Sequence, residues 1–306
     1  MERLLVSVPD ADLGERLVGL GAPAEVILWP MQGPAPVVQI DVVVPPYVRQ
    51  VDSLSWLAGL RTRLVQSQSI GYDGVAAALP PGHVFANAAS VHETSTAELA
   101  LGLILASQRG LDGFVRAAGE GRWAPAWRPS LADRRVLLVG YGGVARAIEA
   151  RLAPFEVSVT RVARHARQEE TGVVHALADL PGLLGEADVV VVAVPLTPET
   201  ERLVDADFLG RMRDGSLLVN VARGRVADTE ALLSVARSGR LRLALDVLDP
   251  EPLPAGHPLF GLRNVLISPH VGGMSSAMAP RMARLLADQV NRLLTGEPVR
   301  NVVLRS

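Results

Sequence analysis

The sequence predicts an α/β fold with two doubly wound parallel sheets. Three observations carry this prediction. Short runs of β-branched and other apolar residues recur from one end of the chain to the other. Segments of helix length separate them, the spacing expected of parallel strands covered on both faces. One run, VLLVG, leads directly into a glycine turn and a helix. The 306 residues suffice for two ordinary domains.

The first series of strands is read at LLVSVP (4–9), EVILWP (25–30), DVVVPP (41–46), RLVQSQ (63–68) and HVFANA (83–88). Residues 94–112 then read as one long helix, with Ser95 and Glu98 as a capping-box start. Its surface is apolar nearly all round, which suits a position between domains, between subunits, or in the core of one domain. Residues 122–135, rich in Pro and Trp, read as a crossing loop. The second series is RVLLVG (135–140), EVSVTRV (156–162), ADVVVVAVP (187–195), GSLLVNVAR (215–223), LRLALDV (241–247) and NVLISPH (264–270). Six such strands are the count of a complete dinucleotide-binding sheet. The tail is an amphipathic helix ending near Gly296, then an extended end. Residues 1–92 plus 279–306 are expected to form one domain and 93–278 the other.

Hydrophobic residues make up 49% and charged residues 20%, and the formal net charge is −2. That balance argues against nucleic acid or a membrane as partner, so any anion site must be local. All 30 basic residues are arginine, which raises the chance occurrence of an arginine cluster. Cysteine is absent, which excludes disulfides, thiolate nucleophiles and cysteine-held metals. The start MERLLVSVPD lacks a signal peptide's apolar stretch, and runs such as LALGLILA fall short of the ~20 residues of a spanning helix. A cytoplasmic protein is expected. No two of the six histidines stand at i, i+4, so no metal site is expected.

In VLLVGYGGVARAIEARL, Gly140 and Gly142 hold the first two positions of a dinucleotide fingerprint and Ala145 the third. Gly140 permits a tight turn, Gly142 lets backbone amides approach a pyrophosphate, and a small residue at 145 lets helix and strand pack closely. The helix N-terminus then offers free N–H groups and a partial positive charge.

Further motifs follow in order: VNVARG (219–224), LDVLDPEPLP (245–254) and LISPHVGG (266–273), with VPLTPET (194–200) and TSTAE (94–98) before them. From SIGYD (69–73) through TGEPVRNVV (295–303), the chain resembles the D-isomer-specific 2-hydroxyacid dehydrogenase family. Within it, the likeness is to NADP-preferring glyoxylate/hydroxypyruvate reductases. The resemblance implies a Rossmann NAD(P)-binding domain, a flavodoxin-like substrate domain, and a homodimer. The helix 94–112 and the loop 122–128 would suit its interface.

The resemblance also implies a catalytic trio of Arg223, Glu251 and His270. Arg223, Asp246 and His270 each follow a predicted parallel strand, where open α/β sheets bind ligands. A 2-keto acid presents a carboxylate and a polarised ketone. Arg223 can fork onto the carboxylate and approach the ketone oxygen. Protonated His270 can donate to that oxygen, and neutral His270 can take the proton back in the oxidative direction. Glu251 would orient the ring and raise its pKa above ~6.5.

By the same resemblance, Tyr141, Gly142, Gly143 and Val144 surround the cofactor phosphates, and backbone groups at Pro195 and Val221 line it. Asp246 corresponds to the carboxamide-binding aspartate, with Gly272 nearby. Thr96 and Thr200 either approach the cofactor or serve as an ordinary first-turn residue and a cap. Ser69, Ile70 and Gly71 align with a loop whose amides hold the substrate carboxylate; a plain strand-to-helix turn is the alternative. Asp73 supports that loop. Pro45 and Pro46 stiffen the stretch VVVPPYV, and Tyr47 either shapes the pocket or lies at the surface.

An acid that binds the ribose 2′-OH of NAD belongs about 20 residues after the glycine turn. That position is Ala163, in VTRVARHARQ (159–168). Arg164 begins the following loop and can fork onto a 2′-phosphate, Arg167 can help, and strand alternation turns Arg161 elsewhere. His165 lies near the same place. NADP(H) is therefore the expected cofactor, with NAD(H) also usable. A small 2-keto or 2-hydroxy acid is the expected substrate. Two other readings are an NAD-linked phosphoglycerate- or phosphite-type dehydrogenase and a cofactor-sensing, corepressor-like regulator without turnover. The formate branch is disfavoured, since it has Gln where Glu251 stands.

Overall fold

A computed structural model describes residues 2–306. The chain divides into two units, Met1–His92 with Gly273–Ser306, and Glu93–Gly272. The second crossing falls at Gly273 rather than at 279. The Gly273 carbonyl lies 3.3 Å from His92 Nδ1, and a Cβ there would fall 2.6 Å from the Tyr47 hydroxyl. That close packing ties the residues after Gly273 to the first unit.

The first unit holds β1 (Leu4–Val8), β2 (Ala24–Leu28), β3 (Val42–Val43), β4 (Leu64–Gln66) and β5 (Val84–Ala86). They lie parallel in the order β2-β1-β3-β4-β5, the flavodoxin-like order. The extended C-terminal end is a further strand, Val302–Arg305, antiparallel on β5. β3 is shorter than its apolar run because Pro45 and Pro46, which carry no N–H, follow it. Alternation buries the sheet on both faces. Val6, Val42 and Leu64 pack with Leu17 and Leu286 on one side, and Val43, Val65 and Phe85 with Leu54 and Leu57 on the other.

The second unit holds β6 (Arg135–Val139), β7 (Ser158–Ala163), β8 (Arg167–Glu169), β9 (Gly172–Ala176), β10 (Val189–Val192), β11 (Leu217–Asn220), β12 (Arg242–Leu245) and β13 (Val265–Ile267). Their order is β13-β12-β11-β10-β6-β7-β9-β8, all parallel except β8 against β9. The six strands read from the sequence are all present, but they are not the six of the dinucleotide order. The third strand of that order is β9, which sequence reading passed over, and β13 is a seventh.

The helix read at 94–112 runs Glu93–Arg109 and is followed at Gly110 (φ 63) by a second helix, Leu111–Gly119. Ser95 therefore lies inside the first turn, and Glu98 faces Arg151 at 3.8 Å instead of closing a capping box. The helix packs on Gly143–Leu152 and on β11 and β12, as a core helix of this unit. Among the described residues, no helix is long and apolar enough to cross a membrane. None of their His, Asp and Glu side chains form a group of three or more that could hold a metal.

Candidate active site

The glycine turn follows β6. Gly140 has φ +93, and a Cβ on it would fall 2.7 Å from the Ala193 carbonyl oxygen, so both conformation and space demand glycine. Nothing lies within 4 Å of where a Cβ on Gly142 would be. The helix Gly143–Leu152 begins there, and its N-cap residue, Gly142, has no side chain to cap the first-turn amides. Ala145 is fully buried against the sheet. Uncapped amides, an open approach and the positive end of a helix fit a dinucleotide pyrophosphate. Gly143 and Val144 form this N-terminus, with the Glu93 side chain packed against Gly143, whereas the Tyr141 side chain turns inward and its hydroxyl donates to Glu149 at 2.6 Å.

Arg223, Asp246 and His270 follow β11, β12 and β13, at the same edge of the sheet as the glycine turn. His270 Nδ1 lies 2.7 Å from Glu251 Oε2, while the other oxygen of Glu251 accepts from the Leu248 amide at 3.0 Å. The hydrogen bond to Glu251 raises the His270 pKa above its ordinary value; burial and the Arg223 charge oppose the rise. For Glu251, burial pushes the carboxyl up, but its bond to His270 and the charges of His270 and Arg223 carry it below the usual range. Arg223 is thus near enough to act on both partners. Its Nη1 donates to the Ala222 carbonyl at 2.7 Å, and Asn220 holds its own carbonyl at 3.2 Å. His270 sits at φ 53, a conformation uncommon for non-glycine residues. Its amide donates to Asp246 O at 2.7 Å, which helps hold it there.

Asp246 is buried and organises this loop. Its carboxylate accepts from Ser268 Oγ (2.7 Å), the Val271 amide (3.0 Å) and the Gly272 amide (3.0 Å). A Cβ on Gly272 would press on Asp246 and on Thr96, so those three residues come together. The Thr200 hydroxyl, in contrast, is used within its own loop, donating to Pro195 O at 2.6 Å and accepting from the Thr197 amide at 2.8 Å. Pro195 is exposed, and Val221 lies buried just past β11.

In the first unit, the Ser69 amide donates to Ser67 Oγ at 2.9 Å and is not available to a ligand. Among the described residues, Ile70 and Gly71 make no such amide bond, and the Ile70 carbonyl accepts from Asn87 at 2.8 Å. Tyr47 stacks on His92 at 5.6 Å and lines a crevice of about 690 Å³ with Pro46, Trp56 and Gln68.

The arginines of VTRVARHARQ have three different fates. Arg161 turns inward and is doubly bonded to Glu149. Arg167 donates to Glu169 at 2.7 Å and to the Tyr141 carbonyl at 3.1 Å. Arg164 projects outward, 65% exposed, with Glu199 no closer than 4.0 Å. Sequence reading missed Arg146 and Glu169, which pair at 2.5 Å. Arg146, Arg161 and Arg167 all lie against the Tyr141 ring, at 4.6, 5.9 and 5.9 Å. Only the pairing of β8 with β9 brings Glu169 to this cluster.

A nucleotide fold with a polar trio at its strand ends defines a class of dehydrogenase, and comparison with known proteins gives the family. Residues 101–272, more than half of the chain, match the family described as "D-isomer specific 2-hydroxyacid dehydrogenase, NAD binding domain". The chain is 33% identical over 253 residues to glyoxylate reductase/hydroxypyruvate reductase of Homo sapiens, covering 79% of this chain and 77% of that protein. It is 32% identical over 293 residues to glyoxylate reductase of Thermococcus kodakarensis, covering 89% and 88%. A D-isomer specific 2-hydroxyacid dehydrogenase from Xanthobacter autotrophicus Py2, solved with NADPH and MES, matches with a TM-score of 0.83. That match has 29% identity and covers 99% of this chain and 98% of that one. An NADPH-dependent glyoxylate/hydroxypyruvate reductase from Sinorhizobium meliloti, solved with NADP and malonate, matches at 0.80 and 27% identity, over 99% and 97%. The chain belongs to the D-isomer-specific 2-hydroxyacid dehydrogenase family. It is an NAD(P)-dependent oxidoreductase.

Proposed function

We propose that the protein is an NADP(H)-dependent reductase of small 2-keto acids, with glyoxylate and hydroxypyruvate as first candidates. The observation that carries this reading is the His270–Glu251 pair at 2.7 Å, close enough to Arg223 to feel its charge. When bound, the cofactor supplies the hydride for reduction and accepts it in oxidation. Protonated His270 gives the proton that the ketone oxygen takes up as its carbon is reduced. Glu251 orients the imidazole and stabilises its charge, and Arg223 holds the substrate carboxylate and the oxygen on which charge develops. In the oxidative direction, neutral His270 takes the hydroxyl proton.

The amides of Ile70 and Gly71 are proposed to bind a substrate carboxylate. The uncapped helix at Gly143 and Val144, with Tyr141 and Gly142, is assigned to the pyrophosphate, and Thr96, Pro195, Thr200, Val221 and Gly272 to the cofactor's flanks. Asp246 keeps lone-pair capacity beyond its three internal bonds and is assigned to the carboxamide. Two features favour NADP(H): Ala163 stands where NAD enzymes carry an acid, and Arg164 is exposed beside it. We also propose a homodimer, because Trp123 and Trp127 are fully exposed.

The test is a panel of 2-keto acids, each run with NADPH and with NADH. Turnover of at least one small keto acid, faster with NADPH at limiting cofactor, is the expected result. No turnover of any keto acid with either cofactor would reject the reading in favour of a regulator.

A further inference from the structure

We propose that Glu169 moderates the cofactor preference, by occupying as an internal carboxylate an anion site that Arg146 and Arg167 form beside the glycine turn. The inference rests on the reading that the cofactor's 2′-phosphate binds near Arg164 and Arg167.

Arg146 lies in the first turn of the helix Gly143–Leu152, its amide donating to the Gly142 carbonyl at 3.0 Å. Both terminal nitrogens of its guanidinium reach Glu169, one to each carboxylate oxygen, at 2.5 Å. Arg167 adds its Nε to one of those oxygens at 2.7 Å, while its Nη2 donates to the Tyr141 carbonyl within the turn. Two arginines converging on one oxyanion, one of them as a fork, is the way guanidinium groups hold phosphate. Here the oxyanion belongs to the chain itself.

The carboxylate is well placed to persist. Its side chain is only 16% exposed, and the bonds from Arg146 and then Arg167 hold its pKa down at about 2. It is ionised at every pH at which the enzyme would work. Glu169 closes β8, and the two-residue turn Glu170–Thr171 returns the chain to Gly172, whose φ of +119 admits the turn. The hairpin therefore delivers one negative charge to two cations beside the glycine turn.

The charges of the cluster indicate the direction of the effect. Arg146, Arg161 and Arg167 face Glu149 and Glu169, which leaves a net +1, and the exposed Arg164 adds one more. A phosphate monoester carries roughly −1.5 to −2 at neutral pH. Without Glu169 the site would gain one unit of positive charge and two released guanidinium groups. With it, a 2′-phosphate must compete for Arg167, whereas a 2′-hydroxyl meets no such competition. Glu169 thus moderates a preference that Ala163 and Arg164 create.

Glu169→Gln keeps the size of the side chain and removes its charge. Affinities for NADPH and NADH, and for the probes adenosine 2′,5′-bisphosphate and ADP, can be measured by calorimetry on the wild type, Glu169→Gln and Glu169→Asp, without turnover. The expected result is about tenfold tighter binding of NADPH and of the 2′-phosphate probe by Glu169→Gln, with NADH and ADP changed less than twofold. Glu169→Asp, which keeps the charge, should stay near wild type. Equal changes for both cofactors, or weaker NADPH binding by Glu169→Gln, would overturn the proposal; the latter would make Glu169 a positioning residue for Arg167. Arg164→Ala tests the underlying reading separately. If it leaves NADPH affinity unchanged, the assigned phosphate site fails whatever Glu169→Gln does.

Discussion

His270 combines a left-handed backbone with a ring bonded to Glu251, and both features suit a proton donor held in one orientation. Its raised pKa gives a signed prediction. Reduction needs the protonated ring, so kcat/KM for keto acid reduction should be flat at lower pH and fall as pH rises through the raised value. Glu251→Gln removes the largest cause of the shift and should move that fall toward the ordinary 6.5. The rate should also drop, within the roughly 10²–10⁴-fold span of general acid catalysis. An unmoved pH profile would dissociate Glu251 from the acid. Stability follows the same pair. The raised His270 pKa contributes fully below 6.5 and is lost as pH rises through the folded value. The lowered Glu251 pKa contributes above 4.5 and is lost as pH falls through its folded value. The Tm deficit of Glu251→Gln should therefore be largest between those two ordinary values. The closeness of His270 and Glu251 was legible through the family resemblance, which singles out the motifs SPH and DPEP; Glu251 itself lies well past the end of β12. Other residue-level facts were not. That the Ser69 amide is taken by Ser67, or that Arg167 is shared with Glu169, depends on loop geometry that spacing does not encode.

At the scale of elements, the parallel strands were readable because sheets covered on both faces demand continuous apolar runs such as Val189–Val192, all fully buried. β8 and β9 were not, because RQEETGVVHA is mostly polar and the hairpin lies at the sheet edge, with Val173 exposed. A motif glycine shows what packing adds to pattern. Gly224 closes VNVARG, and a Cβ on it would lie 1.8 Å from the Leu248 carbonyl oxygen and 2.8 Å from the Asp249 nitrogen. The Leu248 amide in turn holds Glu251 at 3.0 Å. The segment bearing Arg223 and the segment bearing Glu251 thus approach as closely as backbones can, and only a missing Cβ allows it. Gly224→Ala should cost about 1–3 kcal/mol by overpacking. It should also lower kcat/KM, because Leu248 must shift and Glu251 with it. Urea denaturation and steady-state kinetics on one preparation would check both. Wild-type activity with reduced stability would show that Leu248 can move without moving Glu251.

For the whole molecule, the open question is how exposed apolar surface is used. Trp123 and Trp127 are 97% and 101% exposed, and Leu111 and Val115 on the neighbouring helix are exposed as well. Isolated apolar residues at a surface need no explanation, but two fully exposed tryptophans within five positions are the ground for the proposed dimer face. A buried aromatic side chain covers roughly 150–250 Å². The two tryptophans could then supply about half of the roughly 800 Å² that each partner contributes to a standard interface. Closed two-fold dimers are the commonest assembly of identical chains. The net charge of −2 sets up little long-range repulsion between copies. The wild type is therefore expected to be a dimer at micromolar concentration by light scattering, and Trp123→Ala with Trp127→Ala should shift it toward monomer. If this face joins the copies, tryptophan fluorescence should also shift to the red on dilution, as the two rings return to water. A monodisperse wild-type monomer at micromolar concentration would end the dimer proposal. A dimer unaffected by the double substitution would move the interface to another face.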